Sequence, residues 1–157
     1  MPTARSSTIQ GRVWHILSMV TRLYNRGVVG DTIDAVARRH GLELILLFGS
    51  TVSGATHRLS DVDLGVLFSA GVDPRRNLDL VLQDLQALFP AREVDLAVLN
   101  HADPLFLKKI TERCQLLAGS PARLQRLQVY AFKRYQDHRP FLALERDYVR
   151  RHAVDRP

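Results

Sequence analysis

The most constraining feature of the sequence is a pair of carboxylates, Asp61 and Asp63, that opens the otherwise apolar stretch DVDLGVLF. This stretch is short and apolar, which is typical of a buried strand rather than a helix. Residues two apart on a strand have side chains on the same face, so both carboxylates lie on one side. The rise of a strand places their Cα atoms roughly 6.6 Å apart. At an effective dielectric near 20, two full charges at that separation repel by about 2.5 kcal/mol.

A divalent cation would remove this repulsion, and a ligand set made only of oxygen suits Mg²⁺ or Mn²⁺ better than zinc. The alternative for an Asp-x-Asp pair is two solvent-facing carboxylates at a strand end. Two further features favour a functional site. Gly49 and Ser50 end the preceding apolar stretch, where glycine lets backbone approach a ligand and serine offers a hydroxyl and an N–H to a phosphate. Asp95 lies in a third such stretch, and three carboxylates around two cations suit in-line displacement at phosphorus.

Short apolar stretches alternate with segments of helical periodicity, which predicts an α/β chain with few strands and peripheral helices. The predicted strands are 42–48, 61–68, 93–99 and a short edge strand at 115–118. The predicted helices are Ile9–Asn25, 31–41 with Asp31 as N-cap, 77–89, and two that begin at Asp103-Pro104 and Ser120-Pro121. The last helix reaches about His152, with a kink or break near Pro140. We expect one domain over residues 1–157, consisting of an N-terminal helix extension (1–28), a core (29–119) and a C-terminal helical segment (120–157).

The composition is that of an ordinary globular protein, with 46% hydrophobic and 24% charged residues. No apolar stretch approaches the ~18 residues of a spanning helix, so we expect no membrane association. The polar N-terminus has no apolar signal core, and the single cysteine, Cys114, cannot form an internal disulfide. These features predict a cytoplasmic protein.

The positive charge is concentrated in the last third of the chain. Residues 108–157 carry twelve Lys and Arg against five Asp and Glu, whereas residues 1–107 are close to neutral. A basic segment of this kind can attract nucleic acid, a phosphorylated ligand or an acidic protein surface. Its interleaved aromatic residues favour a packing face towards a protein partner, and RNA binding stays open as the competing interpretation.

The order Gly-Ser, ten intervening residues, Asp-x-Asp and a later Asp on a strand resembles the nucleotidyltransferase fold shared with DNA polymerase β. In so short a chain, the phrases LFGS, SDVDLGV and VDLAVLN are similar to those of the minimal nucleotidyltransferases (MNT type). Many of those proteins pair with a HEPN-domain RNase as a toxin–antitoxin module. The resemblance covers residues 42–118 well. It implies an α+β fold with a small mixed sheet, flanking helices and a long C-terminal helical segment.

The resemblance also implies a role for each matching residue. Gly49 and Ser50 would hold the triphosphate of the substrate ATP, and Asp61 and Asp63 would bind two Mg²⁺ ions, for which Mn²⁺ can substitute. Asp95 would complete the metal site and help to deprotonate the attacking hydroxyl, which displaces pyrophosphate from the α-phosphorus.

The sequence departs from related proteins at Ser53, where they often carry an arginine. Arg58, later in the same loop, is either its substitute or a solvent-exposed side chain.

The function implied is that of an antitoxin that transfers AMP from ATP to a tyrosine hydroxyl of its HEPN toxin. Two alternatives stay open. One is an antitoxin that only binds and masks the toxin. The other is a nucleotidylyltransferase that modifies a small molecule such as an aminoglycoside, although 157 residues leave little room for the extra substrate-binding sequence. ATP turnover in the presence of the partner separates catalysis from masking.

Overall fold

The structure, a computed structural model, describes residues 28–49, 52 and 61–152. Its helices are α1 (Val28–Arg39), α2 (Pro74–Leu88), α3 (Pro104–Glu112) and α4 (Pro121–His152). Its strands are β1 (Leu42–Leu47), β2 (Val62–Phe68), β3 (Val94–Val98) and β4 (Gln115–Gly119). The helix predicted at Ile9–Asn25 lies outside the described residues. The expected α+β class with a small mixed sheet is confirmed.

The four strands form one sheet in the order β3-β2-β1-β4. Strand β1 pairs antiparallel with both β2 and β4, whereas β2 and β3 run parallel, from Val62 opposite Val94 to Val66 opposite Val98. Strand β4 therefore stands at an edge, as predicted. Each strand is hydrogen-bonded to its neighbours, so residues far apart in the sequence lie side by side on adjacent strands.

Side chains from both faces of the sheet are buried, because helices cover each face. Ile45 and Leu47 of β1 point into a cluster that α1 and α2 cover, whereas Leu44 and Leu46 point into a cluster that α3 and α4 cover. Strand β1 is consequently apolar at every position except Glu43, which matches its short hydrophobic pattern.

Two helix starts agree with the proline pairs in the sequence. The Asp103 side chain accepts hydrogen bonds from the N–H groups of Leu105 (2.9 Å) and Phe106 (3.1 Å), which caps α3. Ser120 Oγ accepts a hydrogen bond from Arg123 N (3.2 Å) at the start of α4.

Two helix starts and the continuity of a third helix differ from the prediction. Helix α2 begins at Pro74 rather than Asn77, because the Asp73 side chain accepts from Arg75 N (3.0 Å) and caps a polar first turn. Helix α1 already begins at Val28, so Asp31 lies inside the helix and is not its N-cap. Helix α4 is not broken at Pro140, since a proline removes a single backbone donor and the neighbouring turns retain theirs.

Polar contacts connect the helical layers to the sheet. Arg123 of α4 forms an ion pair with Glu43 of β1, and the Gln128 side chain donates to Thr111 O at 3.0 Å, which holds α4 against α3. None of the helices in the described part of the chain combines the length and the hydropathy that crossing a bilayer requires.

Candidate active site

The acidic residues singled out in the sequence lie at one end of the sheet. Asp63 is the second residue of β2, between the buried residues Val62 and Leu64, which face the opposite side of the strand. Asp95 lies directly opposite Asp63 in the parallel register of β2 and β3. Because paired residues on neighbouring strands share a face about 4.8 Å apart, the two carboxylates leave the sheet side by side.

Asp61 stands one residue before β2 and is exposed. The alternation of the strand places it on the same side as Asp63. Asp95 is also exposed, whereas Asp63 is half-buried. The carboxylate row formed by Asp61, Asp63 and Asp95 therefore contains one half-buried and two exposed side chains.

Gly49 passes immediately beside Asp63. Its backbone has a φ of 76°, and a Cβ at this position would overlap Asp63 Oδ2 and come 2.7 Å from Cγ. A backbone hydrogen bond from Phe48 N to Asp63 O (3.0 Å) fixes this approach. Only a residue without a side chain leaves room for the Asp63 carboxylate here and adopts this φ without strain.

The structure thus brings together four of the five residues predicted for the site: Gly49, Asp61, Asp63 and Asp95. Ser50 lies outside the described residues, and the roles of all five remain predictions. No three His, Cys, Asp or Glu side chains within the described ranges converge closely enough to enclose a metal ion. The donor set is nonetheless one that fits a hard cation, because it offers carboxylate oxygens from neighbouring positions at one end of the sheet.

Two aromatic residues beside this row were not predicted as part of the site. Phe48 continues the β1 register next to Asp63, and its ring meets the ring of Phe106 edge-on, with centroids 6.3 Å apart and planes at 87°. The alternation of β1 identifies Phe48 as a residue on the same face as Leu44 and Leu46. No local pattern reveals Phe106, because its position depends on how α3 crosses the sheet.

A glycine turn beside a row of carboxylates is an arrangement that can hold a nucleoside triphosphate and its cations for displacement at phosphorus. Comparisons with known proteins agree with this chemistry. Residues 31–121 match the family model described as polymerase beta, nucleotidyltransferase. No curated protein matches the chain significantly.

Among solved structures, the chain is similar to one described as a toxin–antitoxin with AMP-PNP, at 26% identity and a TM-score of 0.63, covering 76% of this chain and 98% of that one. It also resembles a chain of the toxin–antitoxin MntA-HepT, at 23% identity and a TM-score of 0.58, covering 76% of this chain and 96% of that one.

A third similar structure contains a tri-AMPylated Shewanella oneidensis HEPN toxin in complex with MNT antitoxin. The match has 23% identity and a TM-score of 0.58 and covers 76% of this chain and 95% of that one. Identities of this size show a shared fold. Since the family model spans more than half of the sequence, the chain belongs to the polymerase beta nucleotidyltransferase family.

Proposed function

We propose that this chain is a minimal nucleotidyltransferase that acts as an antitoxin by transferring AMP from ATP to a tyrosine hydroxyl of a HEPN-domain toxin. The observation that carries the proposal is the pairing of Asp63 with Asp95 beside the side-chain-free turn at Gly49. The similar structures support the choice of substrate and partner, since one is described as containing AMP-PNP and another an AMPylated HEPN toxin with MNT antitoxin.

Each residue of the carboxylate row has a distinct part in this proposal. Asp61 and Asp63 hold Mg²⁺, or Mn²⁺ in its place, and Asp95 completes the ligand set. When bound, these cations supply positive charge next to the α-phosphate and the departing pyrophosphate. Gly49 and Ser50 hold the triphosphate with backbone N–H groups and a hydroxyl.

The transfer itself exchanges one bond to phosphorus for another. The tyrosine oxygen of the toxin forms a bond to the α-phosphorus, and the bond from that phosphorus to pyrophosphate breaks. Asp95 accepts the proton of the attacking hydroxyl, because it is the exposed member of the pair and lies on the edge strand β3.

The proposal is tested by the mass of the toxin. A HEPN-domain toxin that binds this chain is incubated with the purified chain, ATP and Mg²⁺, and the intact mass of the toxin is measured. We expect a gain of one or more AMP units with the wild type, none with the double variant Asp61→Asn/Asp63→Asn, and a normal gain with Asp79→Asn, an exposed carboxylate on α2. Neutralisation of the toxin without any mass gain would show masking instead of catalysis. In a parallel reaction that contains an aminoglycoside, transfer of AMP to the aminoglycoside but not to the toxin would show a small-molecule enzyme.

We further propose that residues 1–157 act as one domain. The packing of α4 against α3 and its ion pair to β1 support the inclusion of the C-terminal segment with the core.

A further inference from the structure

The sequence around the candidate site lacks positive charge where a triphosphate needs it. No Lys or Arg occurs between Gly49 and Arg58. A triphosphate carries several negative charges, and proteins that bind one usually place Lys or Arg beside it. Unless Arg58 takes this role, a Lys or Arg side chain from another part of the chain has to pair with the triphosphate.

Arg113 stands at the same open end of the sheet as Gly49. The pairing of β1 with β4 ends at Leu47 opposite Gln115. Gly49 follows this pair by two residues after β1 and Arg113 precedes it by two residues before β4, so both lie close to this end of the sheet. Arg113 caps the C-terminus of α3, and its side chain is exposed.

The exposed side of α3 continues from Arg113 towards the carboxylate row. Phe106, Lys109 and Arg113 recur at spacings of three and four, so they share one side of the helix, whereas Leu107 and Ile110 are buried against the sheet. Phe106 is 43% exposed although its ring contacts Phe48 beside Asp63. Part of this aromatic side chain is thus exposed beside Phe48, where a nucleobase can stack.

The distance along α3 between Phe106 and Arg113 matches the length of one nucleotide. Seven residues along a helix correspond to roughly 10 Å, which is about the span from the terminal phosphate to the base of an extended nucleoside triphosphate. Arg113 lies on the Gly49 side of this span and Phe106 on the Asp63 side.

We propose that the exposed side of α3 is one wall of the nucleotide site, with Arg113 pairing with the phosphates and Phe106 stacking on the base. This inference rests on the proposed function, because it assumes that ATP is the substrate. It adds two binding residues that lie outside the glycine-serine turn and the three aspartates.

The test measures binding rather than turnover. The full chain is titrated calorimetrically with ATP and, separately, with inorganic tripolyphosphate, both in the presence of Mg²⁺. Because hydrogen bonds to charged groups are worth about 1.5–3 kcal/mol, we expect Arg113→Ala to weaken both ligands by roughly 10- to 150-fold. Arg126→Ala, which removes an exposed arginine of α4, should leave both affinities unchanged.

Variants of Phe106 distinguish binding of the base from binding of the phosphates. Base stacking is worth about 1–3 kcal/mol, so Phe106→Leu should weaken ATP by roughly 5- to 150-fold while tripolyphosphate binds as before. Phe106→Tyr, which retains the aromatic face, should restore ATP affinity. Phe132→Leu on α4 is the matched control, because Phe132 is also an exposed aromatic residue.

The inference is overturned if both α3 variants bind ATP like the wild type, or if Phe106→Leu weakens tripolyphosphate as strongly as ATP. A wild-type chain that binds no ATP would instead overturn the proposed function itself. The two failures are distinguishable because the first leaves wild-type ATP binding intact.

Discussion

Gly49 lies so close to Asp63 that a Cβ at position 49 would overlap the Oδ2 atom of the carboxylate. The turn after β1 therefore packs directly against the second residue of β2. This relationship connects the phosphate-binding part of the proposed site to its carboxylate row, because neither can shift without the other.

Gly49→Ala is expected to abolish most AMP transfer. The added methyl group displaces the Asp63 carboxylate, and the positive φ costs about 1–2 kcal/mol of stability for a residue with a side chain. Gly71→Ala is the matched control, since Gly71 also has a positive φ but no atom lies within 4 Å of its would-be Cβ. Urea denaturation together with transfer rates checks the pair: Gly49→Ala should lose at least as much stability as Gly71→Ala, and only Gly49→Ala should lose activity. Equal activity in the two variants would contradict the close approach.

Asp95→Asn should retain the fold and most ATP affinity but lose turnover. Asp95 is exposed, so the amide is accommodated without a buried penalty, whereas a lost ligand and proton acceptor should lower the rate about 10²- to 10⁴-fold. Single-turnover transfer and calorimetric ATP titration measure the two properties separately. A variant with a near-native rate would assign proton acceptance to another group.

Asn100→Ala should destabilise the fold by about 1–3 kcal/mol. The Asn100 side chain accepts from Phe68 N and donates to Phe68 O, both at 2.9 Å, and so extends the pairing of β2 and β3 beyond the last strand residue. Its removal leaves two backbone groups of the buried Phe68 without these bonds. Asn77→Ala, which removes only an exposed bond to Asp73 O, should cost less than about 0.5 kcal/mol in the same urea experiment.

Acid should weaken the contact between α1 and α2 through Asp84. A hydrogen bond with the His40 ring, helped by Arg39 and opposed by burial, holds the pKa of the Asp84 carboxyl below its ordinary value of 3.8. Because the pKa is lower in the folded state, Asp84 stabilises the fold above pH 3.8 and loses this contribution as the pH falls through the folded-state pKa. Asp84→Asn should lower the free energy of unfolding at pH 7 and flatten its decline below pH 4, as measured by urea denaturation at each pH. An identical pH profile in both proteins would contradict this role.

Local signals in the sequence were sufficient for much of the fold. Asp103-Pro104 and Ser120-Pro121 mark two helix starts because capping depends on a side chain and its immediate neighbours. The same mechanism operates at Asp73, but the polar first turn that follows it has no apolar periodicity, so the prediction started this helix three residues late. The apolar strands were recognisable because both faces of the sheet are covered.

The site was predicted only as far as its residues form local patterns. The alternation around Asp63 and Asp95 indicates on which face each carboxylate lies, but the register that pairs them depends on how two strands align across the sheet. The positions of Phe106 and Arg113 depend in turn on the path of α3 over the sheet. Such long-range placement has no signature in a single sequence.

The most direct test of the account follows the α-phosphate of ATP. The chain, its HEPN partner and Mg²⁺ are incubated with ATP labelled on the α-phosphorus or, in parallel, on the γ-phosphorus, and the label retained on the partner is counted. The account predicts retention of the α label only, its attachment to a tyrosine, and its loss in the Asp61→Asn/Asp63→Asn variant. Retention of the γ label, or equal α labelling by the double variant, would contradict transfer of AMP by the carboxylate row.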